Sequence, residues 1–255
     1  MASPEIGAAR VDASPFELPG EGHAAALCLH GLTGTPYEVR PLGLALSAAG
    51  IAALGPALPG HNETPERLAA VAHGAWLEAA RGAFRELRAV HERVFVVGLS
   101  MGGLVALLLA AERAVDAIAV VGTPLRLRIP LLPLLPAVRR VKPFLRKGVG
   151  SDIRDADARA RHPSYDRMPL ASVEQLRALQ ALVRRRLAQV RAPILVAHGL
   201  LDATAHPDDA RAILQAVGSA TREILWLESS GHVVPVDRDG PRLAAAVAMH
   251  CARFA

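Results

Sequence analysis

The sequence has few of the residues that mark several common classes of protein. Its 255 residues include only two cysteines, Cys28 and Cys251, which are too few and too far apart for a disulfide framework or a metal site. Aromatic residues make up 4%, which leaves few platforms for stacking bases, so we expect no nucleic-acid partner. The longest apolar stretches, such as 104–111, fall well short of the roughly 20 residues of a transmembrane helix.

The N-terminal residues, MASPEIGAARVDASPFELPGEG, also lack the apolar core of a secretory signal. Together with the two separate cysteines, this fits a reducing compartment and predicts a soluble, cytoplasmic protein. Apolar residues make up 51% of the chain and charged residues 21%, which is the balance of a globular protein rather than a disordered one.

Positive charge is concentrated in one part of the chain. Residues 122–190 contain 15 lysines and arginines against 5 acidic residues, whereas the rest of the chain contains 14 against 19. Such a split predicts two regions with different surroundings. A basic region can attract an anionic surface weakly, although solvated arginine faces are the more common explanation.

Short apolar runs alternate with longer helical patterns, which is typical of a parallel sheet covered by helices on both faces. Thr64 before Pro65 has the form of a helix start, and Ser172 followed by Gln175 has the form of a capping box. We therefore predict an α/β fold with a mostly parallel, doubly wound sheet. The predicted strands are 24–31, 51–58, 94–98, 117–122, 193–199 and 223–229.

One segment interrupts the alternation. Residues 123–190 show no convincing strand, and the prolines of PLRLRIPLLPLLP oppose a regular helix or central strand there. We expect a helical cap inserted at 123–190 into a core made of residues 1–122 and 191–255. The leucines of the cap can either line an acyl pocket or dock the insertion onto the sheet.

The run VFVVGLSMGG places Ser100 between Gly98 and Gly102, after a predicted strand and before a predicted helix. In this context the pattern Gly-x-Ser-x-Gly predicts a tight turn that presents a nucleophilic hydroxyl at the carboxyl edge of the sheet. A capping serine in an ordinary strand-to-helix turn is the alternative.

A serine nucleophile needs a base, and the base needs an acid that orients it. His232 and Asp202 each follow one of the last two predicted strands, where the loops of an open α/β sheet collect reactive groups. Asp208 and Asp209 are weaker candidates for the acid because Pro207 predicts a helix start there. We expect His30, His61 and His198 to be structural.

The negative oxygen formed when a serine attacks a carbonyl needs two N–H donors, usually from the backbone. The residue after the nucleophile is Met101, and the loop LHGLTGTP offers the N–H of Leu32. Gly31 and Gly34 keep this loop slim enough for a substrate to approach. This chemistry requires no cofactor and no metal.

The motifs LHGLTGTP, LPGH, VVGLSMGG, HGLLD and SGH follow one another in an order that resembles the α/β-hydrolases, over residues 24–254. The chain is most similar to small carboxylesterases and monoacylglycerol-lipase-like serine hydrolases. The resemblance implies Ser100, Asp202 and His232 as the catalytic triad and a cap at 123–190. Asn62 stands where relatives often have glycine, and the leading strands of larger members are expected to be absent or short.

The resemblance implies a serine carboxylesterase that cleaves carboxylic esters, including monoacylglycerols or short-to-medium acyl esters, through an acyl-enzyme. A thioesterase or acyltransferase with the same triad is the main alternative, and a perhydrolase-like side activity also fits. A non-catalytic protein on the same fold ranks lower because all three triad residues are present. Epoxide hydrolases and dehalogenases of this fold need aspartate where this chain has Ser100.

Overall fold

The sheet contains the strands that the apolar runs predict. The computed structural model describes residues 11–128, 135–148 and 150–255. The strands are β1 (Phe16–Leu18), β2 (Ala24–Leu29), β3 (Ala52–Gly55), β4 (Arg93–Leu99), β5 (Ile118–Val121), β6 (Phe144–Arg146), β7 (Arg167–Pro169), β8 (Ile194–Gly199) and β9 (Arg222–Leu227). The α-helices are α1 (Arg40–Ala48), α2 (Pro65–Ala69), α3 (His73–Val90), α4 (Met101–Glu112), α5 (Leu135–Val141), α6 (Ala156–Arg161), α7 (Leu170–Arg186), α8 (Asp208–Ala216) and α9 (Gly240–Ala252).

Seven strands form the main sheet in the order β1-β3-β2-β4-β5-β8-β9. All neighbouring pairs are parallel except β1 with β3, so the predicted α/β fold with a mostly parallel sheet is confirmed. In β2 all six residues are buried, because helices cover both faces and leave no side of the strand for a polar residue. Between residue 11 and β2, the described chain contributes one strand, the three-residue β1.

The helices form a layer on each side of the sheet. On one face α1 and α9 pack together over a core that includes Phe95 and Leu243. On the other face α3, α4, α7 and α8 contribute to a core that includes Trp76 and Leu104. Helix α4 is buried from Met101 to Ala110, which explains why its sequence is apolar on every side.

The segment between β5 and β8 contains α5, α6 and α7, and also a small sheet in which β6 pairs antiparallel with β7. The prediction that this segment has no strand was therefore wrong. Each of these strands has three residues, too few to show an alternating pattern in the sequence. The middle of the proline-rich tract, residues 129–134, lies outside the described residues.

The two predicted helix starts had different outcomes. The Thr64 hydroxyl accepts the Arg67 N–H and caps α2 at its N-terminus as predicted. The capping box at Ser172 was wrong, because α7 begins at Leu170 and the Ser172 hydroxyl donates to the Leu68 carbonyl instead. The side chain of Ser172 thus ties α7 to α2.

Candidate active site

Ser100 occupies a backbone conformation that side chains rarely adopt, with φ +54° between β4 and α4. Glycines on both sides make this turn possible. A Cβ on Gly98 would lie 2.3 Å from the Gly102 carbonyl oxygen, and a Cβ on Gly102 would lie 2.2 Å from the Leu29 carbonyl oxygen. The turn therefore holds Ser100 at the carboxyl end of β4, pressed against the end of β2.

Ser100, His232 and Asp202 form one hydrogen-bonded series. The Ser100 Oγ lies 2.8 Å from His232 Nε2, and His232 Nδ1 lies 2.8 Å from Asp202 Oδ2. Because a carboxylate can only accept, Nδ1–H donates to Asp202 and leaves Nε2 free to accept the serine proton. The structure thus brings the three predicted residues together, although His232 lies 132 positions from Ser100 and 30 positions from Asp202 in the chain.

Gly122 provides space for this series at the end of β5. It has φ +51°, and a Cβ there would lie 3.3 Å from His232 Nδ1 and 3.4 Å from Asp202 Oδ2. A larger residue would be strained and would press on the contact between the imidazole and the carboxylate.

The Asp202 carboxylate is fully buried and held from several sides. Its Oδ1 accepts the N–H groups of Thr204 and Ala205, and its Oδ2 lies 3.2 Å from His198 Nε2. Burial raises the pKa of Asp202, but the charge of His232 and the hydrogen bonds outweigh burial, so the pKa lies well below the ordinary value. Asp202 is therefore ionised, and His198, which we expected to be structural, contacts it directly.

Burial and neighbouring charges shift the pKa of His232 in opposite directions. Burial of the ring lowers its pKa, whereas the charge and hydrogen bond of Asp202 raise it, and the more distant Asp152 and Glu38 carboxylates add to the rise. The net result is a pKa above the ordinary value. The imidazolium that forms when His232 takes a proton is thus stabilised by its surroundings.

The loop after β2 passes close to the nucleophile, since a Cβ on Gly31 would lie 3.4 Å from the Ser100 Cβ. Within the described residues, the backbone N–H groups of Leu32 and Met101 donate to no protein acceptor. Two unpaired donors beside a serine are what an oxyanion requires. Thr33, with φ +62°, turns the loop.

The buried carboxylate of Glu38 stabilises this loop. Its Oε2 accepts the Gly31 N–H at 2.9 Å, and it fills the space that a Cβ on Gly34 would need. Burial raises the pKa of Glu38, but His162, His30 and the Gly31 N–H outweigh burial and lower it, so the carboxylate is ionised. The sequence gives no signal that Glu38 supports this loop, because Glu38 belongs to no motif.

The segment between β5 and β8 contacts the same loop. Lys147 Nζ lies 2.5 Å from Thr33 Oγ1 and 2.6 Å from Ser164 Oγ, and the Ser164 hydroxyl also contacts the Thr33 carbonyl. His162 Nε2 lies 3.0 Å from Glu38 Oε1. These residues carry no motif, so the sequence does not predict their contacts with the loop.

The other candidates lie outside the series. His30 accepts the Leu58 N–H and joins the loops after β2 and β3, and His61 contacts the Leu58 and Pro59 carbonyls. Asp208 and Asp209 lie in the first turn of α8, as the helix start at Pro207 predicts, and neither contacts His232. Asn62 adopts φ +58°, so the turn that glycine would favour is preserved.

A second serine–histidine–carboxylate series lies in the inserted segment. Ser151 Oγ is 2.8 Å from His162 Nδ1, and the opposite side of that ring faces Glu38. Ser151 follows no strand of the main sheet, and the sequence around it lacks the Gly-x-Ser-x-Gly pattern that surrounds Ser100. Across the described residues there is no cluster of histidine, cysteine, aspartate and glutamate that could hold a metal ion.

A hydrogen-bonded serine, histidine and carboxylate at the carboxyl edge of a mostly parallel sheet is the arrangement that serine hydrolases use. The sequence model of the alpha/beta hydrolase family matches residues 26–246. The chain belongs to the α/β-hydrolase family.

Three relatives show how far the likeness extends. A thermostable monoacylglycerol lipase of Bacillus sp. (strain H-257) is 31% identical over 91% of each chain. A carboxylesterase of Bacillus subtilis (strain 168) is 26% identical over 90% of this chain and 92% of its own. A solved structure from work on two metagenome-derived lipolytic enzymes, LipS and LipT, is 29% identical with a TM-score of 0.87, over 94% of this chain and 97% of its own. In the part of the chain that the structure describes, no helix is long and apolar enough to cross a membrane.

Proposed function

We propose that the protein is a serine carboxylesterase with Ser100 as nucleophile, His232 as general base and Asp202 as the acid that orients the base. The observation that carries the proposal is the pair of 2.8 Å contacts that join the three side chains in one series. The similarity to a monoacylglycerol lipase and a carboxylesterase supports ester bonds as the target.

The reaction proceeds in two acyl-transfer steps. His232 Nε2 takes the Ser100 proton as Oγ attacks the ester carbonyl carbon, and the proton then passes to the leaving alcohol as the ester C–O bond breaks. Water enters, gives its proton to His232, and attacks the acyl-enzyme. The bond to Ser100 Oγ then breaks, the proton returns to Oγ, and the carboxylic acid is released.

The N–H groups of Leu32 and Met101 hold the negative oxygen in both steps. Their lack of protein acceptors and the approach of the Gly31 loop to Ser100 support this assignment. The chemistry uses side chains and backbone donors of this chain and calls for no cofactor.

We propose that residues 123–190 form a cap on a core of residues 1–122 and 191–255. The contacts of Lys147 and Ser164 with Thr33 support this division, because they place inserted residues over the loop that flanks Ser100. The acyl group of the substrate, with monoacylglycerol as the candidate suggested by the lipase relative, would bind under this cap.

The exposed arginines of the cap support a weak association with anionic surfaces. Arg139 and Arg140 on α5 and Arg184–Arg186 in the last turn of α7 are exposed. Cytoplasmic location remains a prediction, supported by Cys28 and Cys251, which are both free and buried.

The test is ester hydrolysis by Ser100→Ala. We expect kcat to fall by at least about 10⁴-fold, because the step that forms the acyl-enzyme disappears. Purified protein is assayed with p-nitrophenyl esters from short to long chains and with monoacylglycerol. Activity retained by Ser100→Ala would refute the proposed function.

A further inference from the structure

Asp152, in the inserted segment just before α6, contacts the loops of both the histidine and the acid. Its carbonyl oxygen accepts the His232 N–H at 2.9 Å and the Val233 N–H at 3.2 Å. Its carboxylate Oδ2 accepts the Ala203 N–H at 2.7 Å, directly after Asp202. One residue thus bridges two loops that follow different strands.

The histidine loop is shaped to receive this residue. A Cβ on Gly231 would lie 2.5 Å from Asp152 Oδ1 and 2.8 Å from the Asp152 carbonyl oxygen, so only glycine allows the approach. This contact requires glycine directly before His232, a requirement that the Ser100–His232–Asp202 series itself does not impose.

The chain directly after Asp152 is held by hydrogen bonds to Asp237. The N–H groups of Arg154 and Asp155 donate to the two carboxylate oxygens of Asp237, which also accepts the Gly231 N–H. The inserted segment and the histidine loop therefore share Asp237 as a hydrogen-bond acceptor. A displacement of Asp152 would disturb the hydrogen bonds of both segments.

We propose that Asp152 is a positioning residue of the hydrolytic site, through which the inserted segment holds the Asp202 and His232 loops in register with Ser100. This inference rests on the proposed function. A carboxylate and an imidazole that must stay within hydrogen-bonding distance tolerate little displacement, and an error of about 1 Å costs on the order of 10² in rate.

The charge of Asp152 also acts on His232. The charged groups facing that ring are Asp202, Asp152 and Glu38, and Arg154 lies 3.4 Å from Asp152 Oδ1. Each carboxylate raises the pKa of His232, so removing the charge of Asp152 lowers that pKa. The base then stays neutral to lower pH, and the acidic limb of kcat/KM moves to lower pH.

The experiment compares Asp152→Ala and Asp152→Asn with Asp157→Asn, a matched control at an exposed position on α6. We expect Asp152→Ala to lower kcat between about 10- and 100-fold with little change in KM. Asp152→Asn retains an oxygen that can accept the Ala203 N–H, so it should lose less kcat but shift the acidic limb to lower pH. Asp157→Asn should match the wild type in both measurements.

An Asp152→Ala enzyme within threefold of Asp157→Asn overturns the inference. If Asp152→Ala fails to fold, Asp152→Asn decides: a kcat below that of Asp157→Asn together with an acidic limb at lower pH supports the inference, and a kcat equal to that of Asp157→Asn overturns it. Ser100→Ala is assayed alongside. Activity in Ser100→Ala refutes the proposed function, whereas an inactive Ser100→Ala beside an unaffected Asp152→Ala overturns this inference alone.

Discussion

The loops of the main sheet and the inserted segment reach the same site by different physical routes. Ser100, Asp202 and His232 each follow a strand of the parallel part of the main sheet, so the sheet itself brings them to one edge. Asp152, Lys147 and His162 lie between short elements and reach the site through hydrogen bonds and buried polar contacts. We infer that the sheet supplies the proposed catalytic residues, whereas their alignment depends on the insertion.

The largest effect should come from the sheet edge. Asp202→Asn keeps the size of the side chain but removes the charge that orients His232, so we expect kcat to fall about 10³- to 10⁴-fold. Asp208→Asn is the matched control, because Asp208 is the neighbouring acid that the structure places on α8, where it contacts His206 and Arg211. Ester hydrolysis by the two variants is compared, and a greater loss in Asp208→Asn would contradict the assignment of the acid.

An intermediate effect is expected where the two regions meet. Glu38→Ala leaves the buried Gly31 N–H without its acceptor and removes the partner of His162, so the free energy of unfolding should fall by about 1 to 3 kcal/mol. We expect kcat to fall about tenfold, less than the 10² to 10³ that a lost oxyanion donor costs.

Urea unfolding and ester hydrolysis measure these two effects of Glu38→Ala. Glu17→Ala, at an exposed position on β1, serves as control and should change neither quantity. If Glu38→Ala equals Glu17→Ala in kcat, Glu38 does not support the oxyanion loop.

The smallest effect should come from the exposed arginines of the insertion. Raising the ionic strength from about 0.01 M to 1 M shortens the screening length from about 30 Å to 3 Å, which weakens attraction between exposed arginines and an anionic surface. We expect hydrolysis of monoacylglycerol in vesicles rich in anionic phospholipid to fall several-fold, while hydrolysis of a soluble short-chain ester stays constant. Equal salt dependence for both substrates would show that the arginines serve only as solvated surface.

The sequence predicts the sheet well because buried parallel strands are continuous apolar runs, as in 94–98 and 193–199. The sequence also predicts the tight turn at Ser100, because such a strained turn needs glycines at fixed spacing, which is a local requirement. It does not predict Asp152 or Glu38, whose roles arise from contacts with chain segments 51 and 7 residues away and leave no local pattern. The sequence does not predict the β6–β7 pair for a related reason: pairing between distant residues defines these strands, and their composition does not.

The residue that a fluorophosphonate modifies tests most directly whether Ser100 is the nucleophile. If Ser100 is the nucleophile, we expect one labelled peptide that carries the probe on Ser100, no labelling of Ser100→Ala, and unchanged labelling of Ser151→Ala, the variant that breaks the second serine–histidine contact. Covalent label on Ser151, or label that persists in Ser100→Ala, would contradict it.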